Sequence, residues 1–275
     1  MKKNYLLLFV LCVLLIAVLS SCKPKTEEAN TFTVGLECNY APFNWTQTDD
    51  SNGAVAINGG GGYCGGYDVE IAKSIASALK KDLVIVKTEW DGLIPAVNSG
   101  KIDAVIAGMS PTAERKNSVD FSNPYYESDL VIVVKADGDY AKATSLEDFS
   151  GARITGQLNT FHDTVVEQIP NVDHVTAMET FPAMIVALNS GKIDGYVSER
   201  PGAISAQESN PDLTFVEFEE GKGFEASPED VAIAVAMKKG STMLADVNKA
   251  LDAISKDQRQ TLMDTAIANQ PVSQE

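Results

Sequence analysis

At 275 residues the chain has room for one large domain or for two lobes of about 100–150 residues each. With 44% hydrophobic and 22% charged residues, it has the ordinary make-up of a globular protein with a sizeable core. The formal net charge of −16 disfavours nucleic acid and anionic lipid as partners and suits a cationic ligand, although plain solubility accounts for most of it.

The first 22 residues stand apart. Lys2 and Lys3 precede an almost unbroken apolar run from Tyr5 to Leu19, and Leu19-Ser20-Ser21-Cys22 follows. A basic start, a short apolar stretch and small residues before a cut site predict a secretory signal over 1–21. The run is shorter than the roughly 20 residues a spanning helix needs. Leu-Ser-Ser-Cys resembles the bacterial lipobox, which implies that Cys22 is lipidated (palmitate) and becomes the first mature residue. The protein would then be exported and held at the outer face of the cell membrane by lipid alone. Loss of 1–21 removes Lys2, Lys3 and no acid, so the net charge falls from −16 to −18. Residues 22–30 lack apolar periodicity and read as a tether. Cys12 lies in the signal. Cys38 and Cys64 remain, in an oxidising compartment, either as a disulfide that closes the Gly-rich loop between them or as two thiols.

Thr31 to Leu36 alternates as a strand, and Tyr67 to Leu79 has its apolar residues on one helical face. Leu83 to Val86 is a strand. Then comes a repeat: Asn98-Ser99-Gly100-Lys101-Ile102-Asp103 recurs as Asn189-Ser190-Gly191-Lys192-Ile193-Asp194. Each copy follows an apolar helical segment, Leu93–Val97 or Met184–Leu188, and precedes a short apolar run, Ala104–Ala107 or Tyr196–Val197. Helix, glycine cap and buried strand make half of a βαβ unit, used twice. Leu130 to Val134 reads as a strand that leaves the first lobe, and Arg153 to Thr155 opens the second. Val231 to Met237 leads back, and Met243–Ile254 and Gln258–Ala268 are helices. The expected organisation is α/β, two lobes of similar construction: 31–127 plus 229–270, and 128–228, with a tail at 271–275. Two crossings, near Glu127–Asp129 and Ser227–Val231, make a hinge.

Ligands of open parallel sheets bind beyond the carboxyl ends of the strands. After the first repeat strand come Gly108, Met109, Ser110, Pro111 and Arg115; after the second come Ser198, Glu199 and Arg200. Pro111 suits a first helical turn capped by Ser110, whose free N–H groups would face an anion. Arg115 offers a bidentate partner for a carboxylate, and Glu199 an acceptor for an ammonium. Read alone, Arg115 is equally a solvated helix residue and Glu199 equally a surface partner of Arg200. Their paired positions after equivalent strands favour a site.

Three stretches carry a family resemblance. Gly35-Leu36-Glu37-Cys38-Asn39-Tyr40-Ala41-Pro42-Phe43 resembles the first-strand motif of bacterial extracellular solute-binding proteins for polar and basic amino acids. Gly66-Tyr67-Asp68-Val69-Glu70-Ile71-Ala72 resembles their "GYDVDLA" helix. The block from Trp90 to Tyr126, with DGLIPAVNSGKIDAVIAGMSPTAERKNSVDFSNPYY, is similar to the family signature almost throughout. The resemblance spans about residues 31–270. It implies a two-lobed, periplasmic-binding-protein-like fold that closes on a free amino acid, acts as a monomer and delivers its ligand to an ABC permease, with no cofactor. It further implies that Arg115 clamps the ligand carboxylate, with Ser110 and the Thr160 N–H beside it. Glu199 and the Gly108 carbonyl hold the ammonium, with Met109 between Gly108 and Ser110. Tyr40 and Trp90 sandwich the side chain, and Glu37 lies near its end. The sequence departs from the family at Leu158-Asn159, where glycine is usual, and in the longer 46–65 loop, which reads either as a flank of the cleft or as a disordered insertion.

Two π-faces and Glu37 point to a cationic ligand, arginine first, then lysine and histidine; a glutamine or other polar amino-acid binder is the alternative. A dehydratase-type enzyme on the same fold needs an acid or base poised near neutrality. His162 is the one histidine near a site segment and reads as solvated, and no catalytic constellation stands out. Two histidines without CxxC or HxxxH companions leave no metal site. An amino-acid sensor uses the same module, and the sequence shows no transmembrane signalling segment.

Overall fold

The computed structural model describes residues 30–271. The expected signal over 1–21, the lipidation site Cys22, the tether up to residue 29 and tail residues 272–275 lie outside the described residues.

Alternation in β1 (Thr31–Leu36) turns Phe32, Val34 and Leu36 fully into the core. β2 (Asn39–Tyr40), β3 (Asn44–Gln47), β4 (Val55–Ala56) and β5 (Tyr63–Gly65) follow as a separate antiparallel sheet in the order β2-β3-β5-β4. The 46–65 segment is therefore an ordered extension. Ile57 is buried, and Asn58 N–H donates to the Ile85 carbonyl at 2.8 Å, tying the extension to the outer strand of the first lobe. Cys38 and Cys64 form a disulfide, closing off the two-thiol alternative.

α1 (Tyr67–Leu79) buries Val69, Ile71, Ala72, Ile75 and Ala76 and ends on Lys80 in a left-handed conformation. β6 (Asp82–Lys87), α2 (Trp90–Ser99), β7 (Ala104–Val105) and β8 (Val119–Glu127) complete the outward course of lobe one. β9 (Leu130–Lys135) enters lobe two, which continues through β10 (Arg153–Thr155), α3 (Phe161–Thr164), β11 (Asp173–His174), α4 (Phe181–Asn189), β12 (Gly195–Glu199), α5 (Arg200–Ser209) and β13 (Leu213–Val216). β14 (Ala232–Lys238) returns, followed by α6 (Leu244–Asp252) and α7 (Lys256–Asn269).

The two main sheets have matching plans, β6-β1-β7-β14-β8 and β11-β10-β12-β9-β13. In each, three parallel strands are followed by an antiparallel strand that has crossed from the other lobe, β14 or β9. The repeat explains why. Asp103 Oδ2 accepts from Thr33 N–H and Asp194 Oδ2 accepts from Arg153 N–H, both at 2.8 Å, and Asp103 N–H and Asp194 N–H donate back to the same two residues. Each aspartate thus staples the middle of its lobe's three parallel strands, β1 or β10. Ile102 and Ile193 are buried alongside. Gly100 and Gly191 take φ of 77° and 71°, a turn that a side chain would strain.

One expected element is absent. No α-helix starts at Pro111. The chain must reach β8 at Val119, and it closes instead through a single 3₁₀ turn at Arg115–Asn117, with Ser118 N–H bonded to the Arg115 carbonyl. Ser110 therefore caps no helix, and no helix N–H groups are presented there.

The disulfide spans 26 positions, and closing a loop of that size removes about 3.5 kcal/mol of unfolded-state entropy. The double substitution Cys38→Ser/Cys64→Ser is expected to lower unfolding free energy in urea by about that much. Unchanged stability would show the extension to be held by its strands alone.

Candidate functional site

Strand ends and one loop from each lobe converge on a single cleft. From lobe one come Glu37 and Tyr40 after β1, Trp90 at the start of α2, and Gly108 to Arg115 after β7. From lobe two come Gln157 to His162 after β10, Phe181 at the start of α4, and Glu199 at the end of β12.

The Arg115 guanidinium donates to the Ser110 carbonyl at 3.0 Å and to the Asn159 carbonyl at 3.1 Å, and lies 5.0 Å from the centre of the Trp90 ring. Burial lowers its pKa to about 10, against the opposing charges of Glu114, Glu199 and Asp230. Trp90 Nε1 points to the same Asn159 carbonyl at 3.4 Å, and Asn159 Nδ2 donates to Asp91 at 2.9 Å. Asn159 has φ of 58°, a left-handed conformation that asparagine tolerates better than most residues. This is how the chain supports the turn where glycine is usual.

Glu199 is 3% exposed. One oxygen lies 3.0 Å from His162 Nε2, and the other accepts from the Tyr40 hydroxyl. Burial alone would raise its pKa; the charge and hydrogen bond of His162, with the Tyr40 hydroxyl, hold it below the usual glutamate value. Arg200 is not its partner and pairs with Glu217 at 2.5 Å. Tyr40 stacks on Phe181, centroids 4.0 Å apart, so each predicted sandwich ring lies against a protein group: Tyr40 on Phe181 and Trp90 on Arg115.

Glu37 is 2% exposed. Its Oε2 is 3.5 Å from Gln157 Nε2, and its Oε1 has no hydrogen-bond partner. Burial pushes its pKa to about 7, partly opposed by Gln157 and reinforced by Glu89 and Asp91. Gly108 has φ of 62°, and a Cβ there would sit 3.1 Å from the Tyr40 ring. The Met109 carbonyl accepts from Ala234 N–H at 3.0 Å, anchoring the loop to β14. Thr160 stands at the N-cap of α3, but its hydroxyl donates to the Gln157 carbonyl at 2.7 Å and meets His162 Nδ1 at 3.2 Å.

The space enclosed by Tyr40, Ser110, Arg115, Thr160 and His162 is only about 10 Å³, room for about one water. A mouth of about 620 Å³ adjoins it, bordered by Trp90, Met109, Arg115, Asn159 and Asp230. A cavity of similar volume behind the hinge is lined by Asp129, Glu217, Glu219 and Glu225 with no basic side chain, so it has nothing to offer a carboxylate. Among the described residues no three His, Cys, Asp or Glu side chains gather as for a metal ion.

The structure adds residues that sequence reasoning missed. Gln157, Asn159 and Phe161 follow the carboxyl end of β10, so the strand-end rule applied to that strand would have found them. Asp230 lies on the returning crossing and carried no signal. His162, expected to be solvated, is 8% exposed because Phe181 covers its ring edge-on at 5.7 Å and Glu199 holds its Nε2.

The profile describing bacterial extracellular solute-binding proteins, family 3, matches residues 32–266. A protein of Campylobacter jejuni named as a probable histidine-binding protein is 30% identical over 93% of this chain and 94% of its own. The arginine-binding extracellular protein ArtP of Bacillus subtilis is 29% identical over 91% and 92%. Among solved structures, the amino acid ABC transporter substrate-binding protein AbpA of Streptococcus pneumoniae, bound to L-arginine, superposes with a TM-score of 0.71 at 27% identity, covering 87% of this chain and 95% of that one.

Behind the cleft, Tyr125 donates to Asp68 at 2.7 Å and accepts from Gly108 N–H at 3.3 Å, while Asn44 donates to Asp68 at 2.8 Å. Burial raises Asp68 to about 7, so its contribution to stability is fully present at acid pH and fades as pH rises towards 7. Tyr125→Phe strips a donor from Asp68 and an acceptor from Gly108, and is expected to cost about 1–3 kcal/mol in urea unfolding. The loss should be larger at pH 8, where Asp68 is ionised, than at pH 6; equal losses would remove Asp68 from this account.

Proposed function

This chain belongs to the bacterial extracellular solute-binding proteins of family 3, and from that premise we propose that it binds a free L-amino acid between its lobes and hands it to the permease of an ABC importer. The ligand is cationic, L-arginine before L-lysine and L-histidine. The protein is anchored outside the cell through lipid on Cys22 and works as a monomer. Lobe one is 31–127 plus 229–270 and lobe two is 128–228.

The reading rests on how the cleft satisfies its own charges. Carbonyl oxygens of Ser110 and Asn159 sit on Arg115 where a ligand carboxylate would sit. The Tyr40 hydroxyl and His162 Nε2 sit on Glu199 where an ammonium would sit. An α-amino acid carries both poles on one carbon and replaces both sets of stand-ins. The enclosed space does not hold such a molecule, so entry requires opening. The crossings between β8 and β9 and between β13 and β14 are the hinge, linked by Ser128 N–H to the Val231 carbonyl at 3.2 Å. Opening separates Asn159 from Trp90, Arg115 and Asp91, and Tyr40 from Phe181.

The single observation that carries the cationic choice is Glu37, a buried carboxyl with an unpartnered oxygen one hydrogen bond behind the cavity wall. A guanidinium or ammonium supplies the missing donor. A second reading, glutamine, draws on the same group: at a pKa of about 7 a protonated Glu37 accommodates a neutral amide.

Titration calorimetry with the twenty L-amino acids at pH 7.5 is expected to rank arginine, lysine, then histidine. Arg115→Ala should weaken arginine binding by about 3 kcal/mol, or more than 100-fold, with the fold intact. Binding a cation favours ionised Glu37, so arginine affinity should fall, and protons should be released on binding, as pH drops below 7. Tighter binding of glutamine than arginine contradicts the cationic reading, and an unchanged affinity in Arg115→Ala contradicts the site.

A further inference from the structure

Asn159 reaches the first lobe by two separate arms. Its carbonyl accepts from Arg115 at 3.1 Å and from Trp90 Nε1 at 3.4 Å, and its side-chain Nδ2 donates to Asp91 Oδ1 at 2.9 Å. Asn159 lies in the loop after β10 and Asp91 in the first turn of α2, so the side-chain bond ties lobe two to lobe one. Both residues border the mouth of about 620 Å³ that adjoins the enclosed space. We propose that Asn159 is a latch residue: its side chain fastens the lobes together on Asp91 and sets how long a bound amino acid is retained. This rests on the reading of the cleft as an amino-acid site that opens at the hinge.

The two arms serve different ends. A ligand carboxylate on Arg115 takes the place of the Asn159 carbonyl, but it makes no claim on Asp91, which Asn159 meets through its side chain alone. The side-chain bond therefore persists beside a bound ligand and breaks when the lobes part. The backbone explains the choice of residue. At φ of 58° glycine holds the turn without a side chain, whereas asparagine tolerates the conformation and also brings an amide donor. Its acceptor is a carboxylate, which makes the bond stronger than one between neutral groups. Both residues are exposed at the rim, so water competes and the latch is worth severalfold in rate rather than hundredfold. Release requires the lobes to part, so losing the latch speeds dissociation. It takes nothing from the first encounter, so association is not slowed. The charge of Asp91 also bears on Glu37, and removing Asp91 alone does not isolate the latch.

The test is a double-mutant cycle on the dissociation rate. Asn159→Gly keeps the left-handed turn and the carbonyl and removes only the side-chain arm. Stopped-flow association and dissociation rates are measured for wild type, Asn159→Gly, Asp91→Ala and the double variant. The ligand is L-arginine, or whichever L-amino acid calorimetry ranks first. Asn159→Gly is expected to dissociate about threefold to tenfold faster than wild type, with association no slower. In the Asp91→Ala background the same substitution should change dissociation by less than about 1.5-fold, because its partner is already gone. An unchanged dissociation rate in Asn159→Gly overturns the latch while leaving amino-acid binding in place. So does an equal acceleration with and without Asp91, which would show that glycine only loosens the loop. Failure of the wild type to bind any L-amino acid overturns both the latch and the reading it rests on.

Discussion

Arg115 and Glu199 carry opposite charges at one cleft, Arg115 half-buried in its wall and Glu199 buried behind Tyr40 and His162, which line it. A buried charge is costly unless it is hydrogen-bonded and paired. Here each is satisfied by the other lobe or by its own loop: backbone carbonyls and the Trp90 face for the cation, the Tyr40 hydroxyl and His162 for the anion. Two of these contacts, Arg115 to the Asn159 carbonyl and Tyr40 to Glu199, join one lobe to the other. In the proposed function the ligand's gain is the difference between its own two poles and these internal substitutes. Affinity is set by that difference, not by the sum of the contacts a ligand makes.

The scaffold that delivers the two charges is a duplicated one. Equivalent aspartates staple the middle parallel strand of each sheet, β1 and β10, so the carboxyl ends of β7 and β12 emerge at corresponding places, the first leading on to Arg115 and the second ending in Glu199. The disulfide between Cys38 and Cys64 belongs to the same economy. Cys38 lies between Glu37 and Tyr40, and bonding it to the ordered extension restrains the loop that carries both.

The fold was largely legible in the sequence because its determinants are local. Asn-Ser-Gly-Lys-Ile-Asp specifies a helix stop, a left-handed turn and a buried strand start within six residues, and its recurrence announces two lobes. The α1 helix is found at Tyr67–Leu79, the span its apolar periodicity predicts. What was not legible depends on contacts distant in sequence. The short path to β8 replaces the helix that Pro111 invites. His162 becomes buried only because Phe181 and Glu199 arrive from separate elements, and Asp230 reaches the cleft only through the returning crossing. The pairing of Cys38 with Cys64 likewise depends on the loop after β1 meeting β5 from 26 positions away.

The central claim is that the two charges grip opposite ends of one molecule, and a crystal structure grown with L-arginine tests it directly. The account predicts the ligand carboxylate on the Arg115 guanidinium and its α-ammonium on Glu199, with the Asn159 carbonyl and the Tyr40 hydroxyl moved off those groups and the ligand guanidinium directed towards Glu37. Arginine bound elsewhere, or within the cleft with Arg115 and Glu199 still held by their internal partners, would contradict it.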